Sequence, residues 1–96
     1  MKMFIIMYDY AIDEEVIAVI QKTGIVGYTK WSKVKGAGPE RGPKLDSRFW
    51  PGENGVLLSV VDDKDAVKVK DMVLNLRKAY PMSGVRCFIV PVEEMI

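Results

Sequence analysis

The 96 residues of this chain are enough for one domain with a modest core, and a composition of 49% apolar and 28% charged residues is typical of globular proteins. The formal net charge of +1 argues against a general nucleic-acid binder, and no apolar run is long enough for membrane insertion. One cysteine and no histidine exclude an internal disulfide, histidine-based metal sites, histidine general bases and nucleophile pairs that need histidine. We therefore expect a cytoplasmic protein that is not an enzyme. A carboxylate site for a hard cation stays open, although the acidic residues are dispersed.

The first part of the chain predicts a strand followed by a helix. Residues 3–8 are apolar on both faces, which is typical of a buried strand. Residues 16–20 carry apolar side chains at helical spacing, and Asp13 is placed to cap this helix at its N-terminus. Gly24 stands where a left-handed residue commonly ends a helix. We expect the helix over residues 13–23.

Residues 26–35 predict a second strand of a different kind. Its three lysines are typical of an exposed edge strand, because charge discourages pairing with other chains. Strict alternation places Val34 on one face of this strand and Thr29, Trp31 and Lys35 on the other.

Residues 36–54 predict a functional loop. They contain four glycines and three prolines and follow neither helical nor strand periodicity. A connection of this length in a small domain is usually a binding loop, a lid or a disordered segment. We expect residues 39–48 to form its protruding tip.

The last part of the chain predicts strand, helix and strand. Residues 55–61 alternate as a third strand, and residues 85–92 form the last strand. Between them Asp62 or Asp63 can cap a second helix that lasts to about residue 80. The buried stripe of the second helix is expected at Ala66, Val69, Met72, Val73 and Leu76.

This order of elements predicts a single α+β domain over residues 1–96 with the ferredoxin-like βαββαβ arrangement. Both helices would cover one face of a four-stranded antiparallel sheet. The first, third and last strands are apolar on both faces, and an uncovered second face would be a larger apolar patch than monomers usually expose. We therefore expect a closed homo-oligomer.

Two motifs carry a resemblance to a known family. Residues 34–38, Val-Lys-Gly-Ala-Gly, close the second strand as the VKGFG-type motif does in the PII signal-transduction proteins. Residues 91–96, Pro-Val-Glu-Glu-Met-Ile, resemble the PVEEAI ending of that family. The resemblance covers nearly the whole chain, so we identify a divergent, short member of the PII and CutA-type superfamily.

The resemblance implies a homotrimer that binds nucleotides in clefts between subunits and contacts partner proteins through the loop after the second strand. In the family an adenine-side threonine stands six residues before the first motif glycine, whereas Thr29 stands seven before Gly36. A one-residue bulge, which edge strands favour, would bring Thr29 into place. Arg86 takes the place of a basic phosphate contact that opens the fourth strand. The candidate binding residues are Thr29, Lys35, Gly36, Ala37, Gly38, Arg41, Lys44 and Arg86.

Three departures from the family bear on the ligand. The glycine-rich loop before the fourth strand is shortened to residues 80–86, and the family's arginine-bearing arm does not follow that strand. Residues 36–54 contain no tyrosine, which excludes uridylylation there. We expect a compact sensor of a small anionic effector, with an adenine nucleotide as a candidate, rather than ATP binding of the usual family type.

Two other functions would use the same strand order. A CutA-type trimer with a structural or metal-linked role and no nucleotide binding would show metal-dependent stability, and the lack of histidine counts against it. An RNA-binding module needs exposed aromatics on the central strands, and residues 56–60 contain none. The sequence therefore favours a PII-like regulatory protein that signals to a partner protein through residues 39–48.

Overall fold

The computed structural model describes residues 1–25, 27–36 and 52–96. The predicted residues Ala37, Gly38, Arg41 and Lys44 and the loop tip at residues 39–48 lie outside these ranges. Within them the elements are β1 (Lys2–Asp9), a 3₁₀ turn (Tyr10–Ile12), α1 (Asp13–Lys22), β2 (Thr29–Lys35), β3 (Glu53–Val61), α2 (Asp63–Ala79) and β4 (Arg86–Pro91).

The four strands form one antiparallel sheet in the order β2-β3-β1-β4. Strands β2 and β4 are therefore its edges, and β2 is the lysine-bearing edge strand that the sequence predicts. This arrangement confirms the predicted α+β, ferredoxin-like fold with two helices and a four-stranded antiparallel sheet.

The core lies between the two helices and one face of the sheet. The sheet contributes the inward residues of its central strands, such as Phe4, Ile6 and Leu57, none of which is exposed to solvent. Full burial of a large apolar side chain contributes roughly 1.5–3 kcal/mol. The predicted stripe of α2 is confirmed, since its buried residues are Val69, Met72, Val73 and Leu76 and Ala66 packs against them.

The start of α1 differs from the sequence prediction. Asp13 is the first helical residue and does not cap the helix, because the 3₁₀ turn runs directly into it and Ile12 takes the cap position. Asp9 caps the 3₁₀ turn instead, where its carboxylate accepts a hydrogen bond of 3.0 Å from the Ala11 N–H. The other end of the helix agrees with the prediction, as Gly24 follows it with φ of 82°.

The second face of the sheet, termed the open face, is apolar. Alternation and register give it the residues Met3, Ile5, Met7, Thr29, Trp31, Val34, Val56, Leu58, Val60, Arg86, Phe88 and Val90. Those on the central strands are half-buried by their neighbours, whereas Phe88 on the β4 edge is 51% exposed. In a single chain this face therefore leaves a continuous apolar surface in contact with water.

Candidate functional site

The described candidate residues lie on the two edges of the sheet. Thr29 opens β2 opposite Leu58, and Lys35 closes the same strand with Gly36 directly after it. Arg86 opens β4 opposite Met7, and its side chain is exposed. The root of the predicted loop and the predicted phosphate contact are thus held by different edge strands.

Strand β2 contains a bulge beside the candidate site. Trp31 pairs with Val56 and Val34 pairs with Asn54, so three steps along β2 match two steps along β3. Lys33 lies within this irregularity and has φ of 56°, a left-handed conformation that few non-glycine residues adopt. The extra residue is the one-residue bulge that would bring Thr29 into the family's position relative to the glycine motif.

The bulge corrects the alternation read from the sequence. Beyond it Val34 pairs with Asn54 and shares the open face with Thr29 and Trp31, whereas strict alternation placed Val34 opposite them. Lys35, which pairs with Glu53, changes to the helix side for the same reason. The structure therefore does not bring Lys35 and Thr29 onto one face.

The distance across the sheet separates Thr29 from Arg86. Register gives one row on the open face in which Trp31, Val56, Met7 and Arg86 follow one another across all four strands. The ends of such a row are three strand spacings apart, roughly 14 Å. Thr29 lies beside Trp31 on the same edge, so Thr29 and Arg86 of one copy are separated by the full width of the sheet.

Gly36 makes a close approach at the root of the loop. A Cβ atom built on this residue would lie 2.7 Å from the Nδ2 atom of Asn54, inside ordinary contact distance. The backbone of residue 36 therefore packs directly on the Asn54 side chain, which only glycine allows without a shift of that side chain.

A polar cluster that the sequence analysis missed joins β1, α1 and β2. The buried Tyr8 donates a hydrogen bond of 2.6 Å from its hydroxyl to Asp13 Oδ1, and the Lys30 ammonium donates one of 2.7 Å to Asp13 Oδ2. The ring centroid of Tyr10 lies 6.0 Å from the Nζ of Lys30 and 5.7 Å from that of Lys33. We term these five residues the α1–β2 tether.

The interactions within the tether favour the ionised forms of Asp13 and Lys30. Burial alone would raise the pKa of Asp13, but the hydrogen bonds from Lys30 and Tyr8 outweigh it and lower that pKa below the ordinary aspartate range. The hydrogen bond to Asp13 raises the pKa of Lys30. Burial first, and then the bond to the Asp13 carboxylate, raise the pKa of Tyr8. One feature of the sequence indicates such a cluster. Tyr8 lies on the inward side of β1, where its buried hydroxyl needs a hydrogen-bond partner.

Comparison with known protein families decides the assignment. A model of the family described as nitrogen regulatory protein P-II matches residues 1–96, the whole chain. The chain belongs to the P-II family. A search of curated protein sequences gave no match.

Two solved PII-like structures resemble the fold of this P-II chain. A PII-like signalling protein from Thermus thermophilus superposes with a TM-score of 0.64 at 22% identity, over 92% of this chain and 82% of that one. CPII from Thiomonas intermedia, solved with ADP, AMP and acetate, superposes with a TM-score of 0.67 at 16% identity, over 93% of this chain and 82% of that one. At these identities the likeness bears on the fold.

The described part of this P-II chain was also compared with the requirements of a metal site, a membrane-spanning helix and a reactive thiol. Among residues 1–25, 27–36 and 52–96, acidic and cysteine side chains do not gather in threes as metal ligands would. No helix in those ranges has the length and apolarity needed to cross a membrane. Burial raises the pKa of the Cys87 thiol to about 11, so this thiol is a weak nucleophile at neutral pH.

Proposed function

We propose that this P-II family member is a regulatory protein that binds a small anionic effector between the subunits of a homotrimer and signals through residues 39–48 to a partner protein. An adenine nucleotide is the first candidate effector, because CPII of similar fold was solved with ADP and AMP. The proposal includes no catalytic step.

One observation carries the proposal. Thr29 and Arg86 share the open face but lie at opposite edges of the sheet, so the partner that meets each of them most directly is the edge of a neighbouring copy. In a closed head-to-tail ring, the β2 edge of one copy meets the β4 edge of the next. Such a ring would pair Thr29 and Trp31 of one subunit with Arg86 of its neighbour at every boundary.

The apolar open face supports the same assembly. Phe88 and Val90 are 51% and 37% exposed in the single chain, and the half-buried residues of β1 and β3 extend the same surface. Burial of this surface against other copies would stabilise the ring by the hydrophobic effect. A subunit boundary formed in this way contains an exposed arginine, whose guanidinium binds phosphate oxygens well, and the flat Trp31 ring, on which a base can stack.

The first experiment measures ligand binding. Isothermal titration calorimetry with AMP, ADP, ATP and bicarbonate should give saturable binding for at least one of them. Arg86→Ala should weaken that binding by roughly tenfold or more, since a charge-assisted contact is worth about 1.5–3 kcal/mol. Arg77→Ala on α2 is the matched control, because it removes an exposed arginine on the opposite side of the sheet. Equal affinity in the two variants would refute the role of Arg86.

The second experiment tests whether the site is shared between copies. Thr29→Val and Arg86→Ala should each lose binding, and trimers assembled from a mixture of the two should regain it. In a random mixture, about a quarter of the boundaries combine an intact Thr29 with an intact Arg86. Failure of the mixture to bind, with each variant still trimeric by light scattering, would place the two residues in separate sites.

The same titrations separate this function from the CutA-type alternative. A structural or metal-linked trimer would assemble in the same way but would show no heat with nucleotides. Its thermal stability would instead depend on added metal.

A further inference from the structure

We propose that the α1–β2 tether selects the bulged register of β2 and thereby sets the position of Thr29 relative to Gly36. This inference rests on the proposed function, because Thr29 and Gly36 are candidate ligand residues of that site. It couples the start of α1 to the root of the loop through which signalling is proposed.

The register of β2 needs a determinant other than its own hydrophobic pattern. Strand register is set firmly where one face is buried, and weakly where polar residues occupy both faces. Strand β2 pairs with β3 alone, and only two of its seven residues, Lys30 and Val34, are even partly buried. A tight turn cannot fix the register either, because a long connection joins β2 to β3.

The tether contacts β2 before the bulge, at Lys30, and within the bulge, at Lys33. In a regular strand, residues an odd number of positions apart point to opposite faces. Lys30 and Lys33 are three positions apart, yet both ammonium groups lie within 6.0 Å of the Tyr10 ring centroid. The extra residue lets both side chains reach one ring, so we expect the contacts and the bulge to support each other.

The anchor of the tether is rigid. Asp13 is the first residue of α1, and its other carboxylate oxygen accepts the hydroxyl of Tyr8, which is 1% exposed. The Lys30–Asp13 ion pair is itself largely shielded, with side-chain exposures of 25% and 13%. Lys30 is therefore held against a fixed point of the core, and β2 must accommodate one more residue before it reaches Gly36.

Cross-linking in a Cys87→Ser background tests the register directly. A Thr29→Cys/Leu58→Cys pair and a Val34→Cys/Asn54→Cys pair lie on opposite sides of the bulge, and both pairs face each other only in the bulged register. Both should form disulfides in the parent, since paired strand positions fit disulfide geometry. Lys30→Met should slow at least one of the two by roughly tenfold, the effect of a contact worth 1.4 kcal/mol.

Controls keep the result interpretable. Lys30→Arg should retain both cross-links, and Lys22→Met should match the parent because it removes an exposed lysine of α1. If Lys30→Met fails to fold, Asp13→Asn decides, because its amide oxygen can still accept the Tyr8 hydroxyl. Parental cross-linking of both pairs in Lys30→Met, or in Asp13→Asn in that case, would overturn the proposal.

A ligand measurement tests the positioning role. AMP titration of the tether variant that loses a cross-link should show weaker affinity than Lys22→Met. Unchanged AMP affinity in that variant would overturn the link between register and site. If the parent binds no nucleotide, the nucleotide part of the proposed function fails, and the cross-linking still decides whether the tether selects the register.

Discussion

The two faces of the sheet are made by the same strands, but the chain completes only one of them. On the helix side Phe4 and Ile6 are fully buried, and Ser59, the buried polar residue there, donates a hydrogen bond of 2.9 Å to the Gly27 carbonyl. On the open face Phe88 stays half exposed. Both faces are apolar, so they differ in what covers them and not in composition. The helices cover one face, whereas the other is in contact with water in the single chain. The helix-side face forms the core that stabilises the chain, and we expect the open face to form the contacts between copies.

The largest expected effect tests the completed face. Phe4→Ala removes a fully buried ring from the core and should lower the free energy of unfolding by about 3–5 kcal/mol. Urea denaturation measures the loss. A loss below about 1 kcal/mol would mean that the helix-side face is not the main core.

A charge on the open face should separate assembly from folding. Leu58→Lys places an ammonium group on the central strand β3. Because an unpaired charge is costly to bury, the variant should sediment as a single folded chain at concentrations where we expect the parent to form a trimer. Lys64→Glu on α2 should leave the mass of the parent assembly unchanged. A trimeric Leu58→Lys variant would show that this face is not the interface.

The tether predicts a pH dependence of stability. The folded-state pKa of Asp13 is lowered, so its contribution is present above the ordinary aspartate value of about 3.9 and is lost as the pH falls through the folded pKa. The pKa of Lys30 is raised, so its contribution is present below about 10.4 and is lost as the pH rises through its folded pKa. Asp13→Asn should therefore cost about 1–2 kcal/mol at pH 7 and should flatten the acid limb of the stability curve.

That comparison is made by urea unfolding between acid and neutral pH. Glu15 lies in the first turn of the same helix and is exposed. Glu15→Gln therefore serves as the control and should keep the parental dependence of stability on pH. A Glu15→Gln curve as flat as that of Asp13→Asn would attribute the pH dependence to general charge.

The close contact between Gly36 and Asn54 at the root of the loop predicts a smaller loss of stability. Gly36→Ala brings a methyl group against Asn54, whose amide end can rotate away, so we expect a loss of about 1 kcal/mol or less. Asn54→Ala should remove most of that loss in a double-mutant cycle measured by thermal unfolding. Additive losses would mean that the two residues do not touch.

The smallest effect concerns the bulge itself. Lys33→Gly relieves a left-handed residue but also removes the exposed Lys33 contact with Tyr10. Its stability should change by less than about 0.5 kcal/mol, because the relief offsets both the lost contact and the greater freedom of glycine in the unfolded chain. Lys35→Gly in the regular part of β2 gains no such relief and should lose about 0.5–1 kcal/mol. Equal losses at the two positions would argue against the bulge.

The sequence was sufficient for the fold and insufficient for the local geometry of the candidate site. Apolar periodicity predicted the stripe of α2 and the apolar second face, because those patterns repeat over many residues. The motif spacing raised a one-residue bulge, but alternation did not show where it lies or that Lys33 adopts a left-handed φ of 56° there. The contact between Asp13 and Lys30 joins residues 17 positions apart, so Asp13 looked like a helix cap when only its neighbours were considered.

Because of the bulge, the number of residues between two positions of β2 does not give their separation in the sheet. If motifs are aligned by spacing alone, Lys30 falls where the family's threonine stands, whereas we propose that the bulge brings Thr29 there. An edge strand of this kind can absorb an inserted residue during evolution without displacing the side chains on either side. We expect α1, whose Asp13 carboxylate accepts a hydrogen bond from Lys30, to hold the longer strand in place.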